Sequence, residues 1–178
     1  LWGYNGIANG VANIPTPIPF GDLIFTSTGY GDGGTAVLKL SSTGDEVKAE
    51  EIKYLGAKEL QNHHGGMILL KDHIYFGAKH NSGFPVCVEA ATAKVVWGND
   101  ARGEGSGSAA VTYADGNLIY RYDSGHVALV EATPTGYHMK GSFMPKHQEG
   151  KSWAHPVVAG GKLYLREQGK LMCYNLKP

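Results

Sequence analysis

Apolar residues in this chain fall into short runs separated by turns rich in glycine, aspartate and asparagine. That is the pattern of strands joined by tight hairpins. The last stretch, 155–176 (HPVVAGGKLYLREQGKLMCYNL), shows the unit most plainly. An apolar run follows a proline, then come a turn, an aliphatic–aromatic pair, a second turn and another apolar run. The same order appears earlier in PTPIPFGDLIFTSTGYGDGGTAVLKL, GGMILLKDHIYFGAKHNSGFPVCVEA and SAAVTYADGNLIYRYDSGHVALVEA. With the aromatic of each pair as ruler, Phe25, Tyr75, Tyr120 and Tyr164 stand 50, 45 and 44 residues apart. A multi-stranded unit with a period in the forties predicts the blades of a β-propeller.

The spacing assigns one propeller segment of about four four-stranded blades, over 13–56, 57–99, 100–145 and 146–178. Leu1-Trp2-Gly3-Tyr4-Asn5 is similar to Val96-Trp97-Gly98-Asn99, which closes a repeat, so residues 1–5 read as a closing strand. Either they pair with the final repeat and close a ring, hiding an edge, or the chain is a piece of a larger seven- or eight-bladed propeller. The second reading is preferred. Pro15, Pro17 and Pro19 suit a strand entry, and residues 41–56 read as an exposed outermost strand. Asp115-Gly116 between alternating apolar runs is a strong hairpin signal. No stretch carries the periodicity of an amphipathic helix, so the class is all-β. The expected core comprises the four ruler aromatics with Ile24, Val37, Leu38, Ile68, Leu70, Ile74, Val86, Val88, Trp97, Val111, Leu118, Val127, Leu129, Val157, Leu163 and Leu171. It forms where neighbouring blades stack, because a single blade cannot cover its own faces.

Composition supports this picture. Gly is 26 of 178 residues and charged residues are 18%, against roughly 7% and 25% in an average soluble chain. A net charge of zero argues against nucleic acid or anionic membrane as a partner held by overall charge. No apolar run approaches the roughly 20 residues of a membrane-spanning helix. Cys87 and Cys173 occupy one place in repeats two apart, which favours small buried residues over a disulfide.

The segment Glu89-Ala-Ala-Thr-Ala-Lys-Val-Val-Trp97 resembles the blade-closing pattern of pyrroloquinoline quinone (PQQ)-type propeller repeats, with Ala93 at the usual glycine and Glu89 at a common aspartate. Gln61–Gly66 (QNHHGG) and Ser152–Pro156 (SWAHP) are similar to a PQQ-like group in secreted bacterial proteins, especially of planctomycetes. The resemblance spans nearly the whole chain. It implies a periplasmic or secreted location and either of two functions. One is a scaffold binding a protein or small-molecule ligand at the propeller face, with no complete catalytic site of its own. The other is a fragment of a PQQ-dependent quinoprotein alcohol dehydrogenase, with PQQ and calcium as cofactors. The adjacent cysteines and the haem attachment motif of such enzymes do not occur in the sequence.

In a propeller the segments entering the innermost strands meet at one mouth of the channel. Here these are Asn13–Pro15, Gln61–His64, Gly105–Ser108 and Ser152–His155, which bring imidazoles, amides, a hydroxyl and an indole together. His64, His155, Trp153, Asn62 and Arg121 are the candidate pocket, a polar surface of the kind that takes small ligands. Arg121, with Arg166 and Lys79, is a cation that quinone carboxylates would want, although an arginine beside a hairpin more commonly makes a surface salt bridge. His64 and His155 alternatively hydrogen-bond neighbouring blades and lock the ring. Two histidines fall short of the three ligands a metal site requires, and His63 is expected to point away from His64 along extended backbone. Asp100 and Glu104 are the acids nearest the mouth, the residues to which a calcium-binding role would fall.

Overall fold

In the computed structural model residues 2–99 and 104–176 are described; Leu1, Asp100 and the last two residues lie outside them. The described residues contain no helix. They form β1 (Ile18–Phe20), β2 (Leu23–Thr28), β3 (Gly34–Thr43), β4 (Glu46–Gly56), β5 (Asn62–Leu70), β6 (His73–Ala78), β7 (Phe84–Glu89) and β8 (Val95–Gly98). The second half continues as β9 (Ala109–Ala114), β10 (Asn117–Tyr122), β11 (Val127–Glu131), β12 (Met139–Phe143), β13 (Val157–Ala159), β14 (Lys162–Glu167) and β15 (Lys170–Asn175).

Each group of consecutive strands makes one antiparallel sheet in chain order. Three sheets have four strands, and the last, β13-β14-β15, has three. Residues 2–17 form no strand. Tyr4 and Ile7 pack instead on Ala36 and Leu38 of the first sheet. The turns follow the local chemistry: Asp115 and Gly116 both have positive φ, as do Gly160 and Gly161. That is the type I′ geometry whose twist matches the flanking strands.

The sheets stack in sequence, each burying a face against the next. Phe25 and Val37 of the first meet Ile74, Phe76, Val86 and Val88 of the second, with the Phe25 and Phe76 rings 6.2 Å apart. Tyr75 and Cys87 on the opposite face of the second meet Leu118, Tyr120 and Tyr122 of the third. Ile119 and Val127 of the third meet Leu163 and Leu165 of the fourth. The second and third blades therefore contribute both faces of their inner strands to a core that no blade could form alone.

One of the four ruler aromatics is misplaced. Counting from the hairpin-closing pairs Phe20↔Leu23, Leu70↔His73 and Ala159↔Lys162, the aromatics Phe25, Tyr75 and Tyr164 lie two residues into the second strand. In the third blade the closing pair is Ala114↔Asn117, so the counterpart is Ile119. Tyr120 is one residue further on, and a period of two turns it to the other face, back toward the second blade. Three expected core residues are also exposed: Leu129 at 36%, Val157 at 53% and Leu171 at 69%. Val157 and Leu171 lie on the face of the fourth sheet turned away from the third, which no described element covers. Leu129 lines a groove of about 220 Å³ at the outer end of the last blade interface, with Phe143, Leu163 and Leu176. Ile24, Ile68, Leu70 and Trp97 are half-buried, and the Trp97 indole donates to the Thr133 carbonyl at 2.9 Å.

Candidate functional site: an imidazole and indole cleft at the mouth

In an antiparallel blade the entry to the first strand and the exit from the second lie at the same end. The β2–β3 and β6–β7 turns therefore meet the entry segments at the mouth. Hydrogen bonds tie these loops from blade to blade. Asn62 N–H donates to Ser27 Oγ (2.8 Å), Asn81 N–H to Ser108 Oγ (3.2 Å), and Ser152 N–H to the Asp123 carbonyl (2.9 Å).

The cleft they enclose holds about 430 Å³ and is lined by Ile14, Tyr30, His63, His64, Trp153 and His155. Three of the five sequence candidates, His64, Trp153 and His155, are thus brought together from the second and fourth blades. The His64 and Trp153 rings are 6.0 Å apart, edge to face.

The other two candidates have different work. Asn62 is fully buried, and its amide donates to the Gly66 and Gly77 carbonyls at 3.1 and 3.3 Å. It braces a bulge. Arg121 does not reach the mouth. Sharing the face of Ile119, it is fully buried between the last two blades. There it donates to Glu167 Oε2 and to the Arg166 carbonyl, both at 2.6 Å. Ser152 Oγ also donates to Glu167. Burial would raise the Glu167 carboxyl, but bonds from Ser152 and the Glu149 N–H, with the Arg121 charge, hold it below its ordinary value. The buried pair therefore fixes the segment that carries Trp153. The other two cations are also engaged: Arg166 Nε donates to the Gln168 carbonyl at 3.1 Å, and Lys79 lies 5.4 Å over the Phe84 ring.

His63, expected to point away, is in the cleft. Strand register shifts between the pairs Asn62↔Ala78 and Met67↔Phe76, so residues 63–66 bulge and alternation is lost. The bulge needs its glycines. A Cβ on Gly65 would stand 1.7 Å from the Ala109 carbonyl oxygen, and Gly66 has φ +68 with a Cβ position 2.7 Å from the His155 ring. Gly66→Ala is expected to cost about 1–2 kcal/mol through this strained backbone and to push the His155 ring away. Denaturant unfolding and the His155 ring resonances check it.

The bulge packs the His63 ring 4.7 Å from His64, 4.2 Å from His80 and 4.8 Å from Tyr30. His63 Nδ1 is bonded to Ser108 Oγ at 2.6 Å, and His64 Nε2 to the buried Asp123 carboxylate at 3.1 Å. Burial, then the neighbouring His64 and His80, lower the His63 pKa from 6.5 to about 4. A histidine depressed on folding stays neutral in the native state while the unfolded chain takes up a proton below pH 6.5. Stability should therefore fall as pH drops from about 6.5 to 4, by about 1–3 kcal/mol from this group. His63→Phe should flatten that part of a pH series of denaturant melts.

Tyr30 and His80, which sequence reasoning did not name as site residues, come from the β2–β3 and β6–β7 turns. The shared end of the blade was the signal available. The Tyr30 hydroxyl and both His155 nitrogens have no hydrogen-bond partner among the described residues, and Trp153 is 58% exposed. The cleft thus offers unspent donors and acceptors beside aromatic surface. Among the described residues no group of three or more His, Cys, Asp or Glu is placed to hold a metal ion. Glu104 accepts from Ser142 Oγ at 2.6 Å and lies near His126, away from the cleft lining.

No family model and no curated protein matches the sequence. Among solved structures, BamB from Moraxella catarrhalis superposes with a TM-score of 0.59 over 93% of this chain, at 15% sequence identity. The chain is a β-propeller segment. It spans 45% of the length of that BamB chain, and at this identity the likeness extends to the fold alone.

Proposed function

We propose that this propeller segment is a binding module whose ligand occupies the cleft between His64, His155 and Trp153, with no catalytic site of its own. The observation that carries the reading is the convergence, from separate blades, of an exposed indole and partner-free polar groups on one cavity. A volume of about 430 Å³ lies within the roughly 300–1,000 Å³ of small-ligand sites. Further blades completing a seven- or eight-bladed ring belong to this proposal, as does a periplasmic or secreted location. Both rest on the repeat pattern and its resemblance to PQQ-type propellers.

The quinoprotein alternative is less well supported by the residues present. PQQ carboxylates call for free cations at the mouth, and Arg121 is committed to Glu167. Lys151 sits 4.0 Å from Asp123. Calcium prefers six to eight oxygen ligands, and the Asp123 carboxylate behind the cleft is bonded to His64. No step through quinone or metal follows from this site.

A ligand screen followed by the ring resonances of His63, His64 and His155 tests the reading. Hits should shift these signals and compete with one another. Binding that leaves all three unmoved, or alcohol oxidation to an artificial acceptor on adding PQQ and calcium, would overturn it.

A further inference from the structure

We infer that the cleft recognises an uncharged saccharide chain; this rests on the binding reading above and names its ligand class. Three features point the same way.

The first is the flat apolar wall. Trp153 is 58% exposed, held by a segment that the buried Arg121–Glu167–Ser152 network fixes from behind. A rigid, open indole is suited to stack on the C–H face of a pyranose ring.

The second is the polar complement. Among the described residues the Tyr30 hydroxyl and the His155 nitrogens have no hydrogen-bond partner, and burial holds the His63 pKa down to about 4. A neutral imidazole and a phenol each donate or accept, which matches sugar hydroxyls that do both.

The third is charge. The six lining residues carry no carboxylate and no Lys or Arg. Behind the lining, Asp123 is bonded to His64, and Lys151 lies 4.0 Å from Asp123. An anionic ligand would find no fixed counter-charge here, and a cation would find no free carboxylate. Past Trp153 a second depression of about 360 Å³, lined by Lys151, Ala154, Arg166, Gln168 and Gly169, continues the surface, so charged side chains enter only beyond the indole. A chain longer than one ring has room to cross the indole.

The test uses the full chain and a panel of neutral hexasaccharides of glucose, xylose and mannose, beside a pool of uncharged peptides. Calorimetry and the imidazole resonances are read together. At least one saccharide should bind and shift the His64 and His155 rings. Its affinity should stay constant between about 0.05 and 0.5 M salt, as screening acts only on charge. Trp153→Ala should weaken it about ten-fold or more, with Trp153→Phe restoring part of the loss. Peptides that move the same resonances while every saccharide leaves them still would overturn the saccharide assignment and leave the binding reading standing. If neither class moves them, both fall. Binding that weakens steeply with salt would also overturn the claim of an uncharged ligand.

Discussion

Replacing Arg121 or Glu167 by alanine is expected to destabilise the protein by about 3–5 kcal/mol, because either change strands a charge in a site with no solvent access. Both side chains are fully buried. The gain from their 2.6 Å bond offsets a desolvation cost that neither could bear alone. Replacing both at once with Met and Leu should recover most of the loss, since apolar residues of similar volume need no partner. The pair also acts at a distance. Glu167 accepts from Ser152 Oγ, so Glu167→Ala should loosen the segment holding Trp153 and weaken ligand binding beyond its effect on melting. The folded-state pKa of Glu167 is lowered, so its stabilisation is present above the unfolded value near 4.5 and fades as pH falls through the folded one. Urea melts of the single and double variants across pH check each part. Single variants as stable as the parent would show that the pair is not buried between blades.

Tyr120→Ala carries the second large effect, about 3–5 kcal/mol. Tyr120 is fully buried among Tyr75, Cys87, Leu118 and Tyr122, so truncation leaves a cavity between two sheets that meet through rigid strands and close only in part. Its hydroxyl donates to the Phe76 carbonyl at 3.4 Å, a long bond, so Tyr120→Phe should cost no more than about 1 kcal/mol. The contrast separates lost packing from lost hydrogen bonding. An alanine variant that melts with the parent would contradict the stacking of the second and third blades.

The repeat was legible in the sequence because strand alternation and turn chemistry recur at each blade, and both are local. What the aromatic ruler missed is also local. The third blade reads Leu118-Ile119-Tyr120 where the others have an aliphatic–aromatic pair, and counting from the turn instead of the ring picks out Ile119. The same one-residue slip hid the role of Arg121, which shares the inward face with Ile119. That His64, Trp153 and His155 share one cleft was legible because entry loops of successive blades meet at one end. The displacement of His63 was not readable from alternation, since it depends on a bulge that only the close approach of Gly65 to Ala109 explains. Exposure of Val157 and Leu171 depends on which elements cover the fourth sheet, and period-two patterning cannot distinguish a covered face from an open one.

The central claim is that successive blades turn about one axis and bring their entry loops to a single mouth. A nuclear Overhauser spectrum of the intact chain tests it most directly. Ring protons of Trp153 in the fourth blade should give cross-peaks to those of His64 in the second, whose centroids lie 6.0 Å apart. Strand-to-strand peaks within each blade but none between these two rings would contradict the account, leaving four sheets without a common centre.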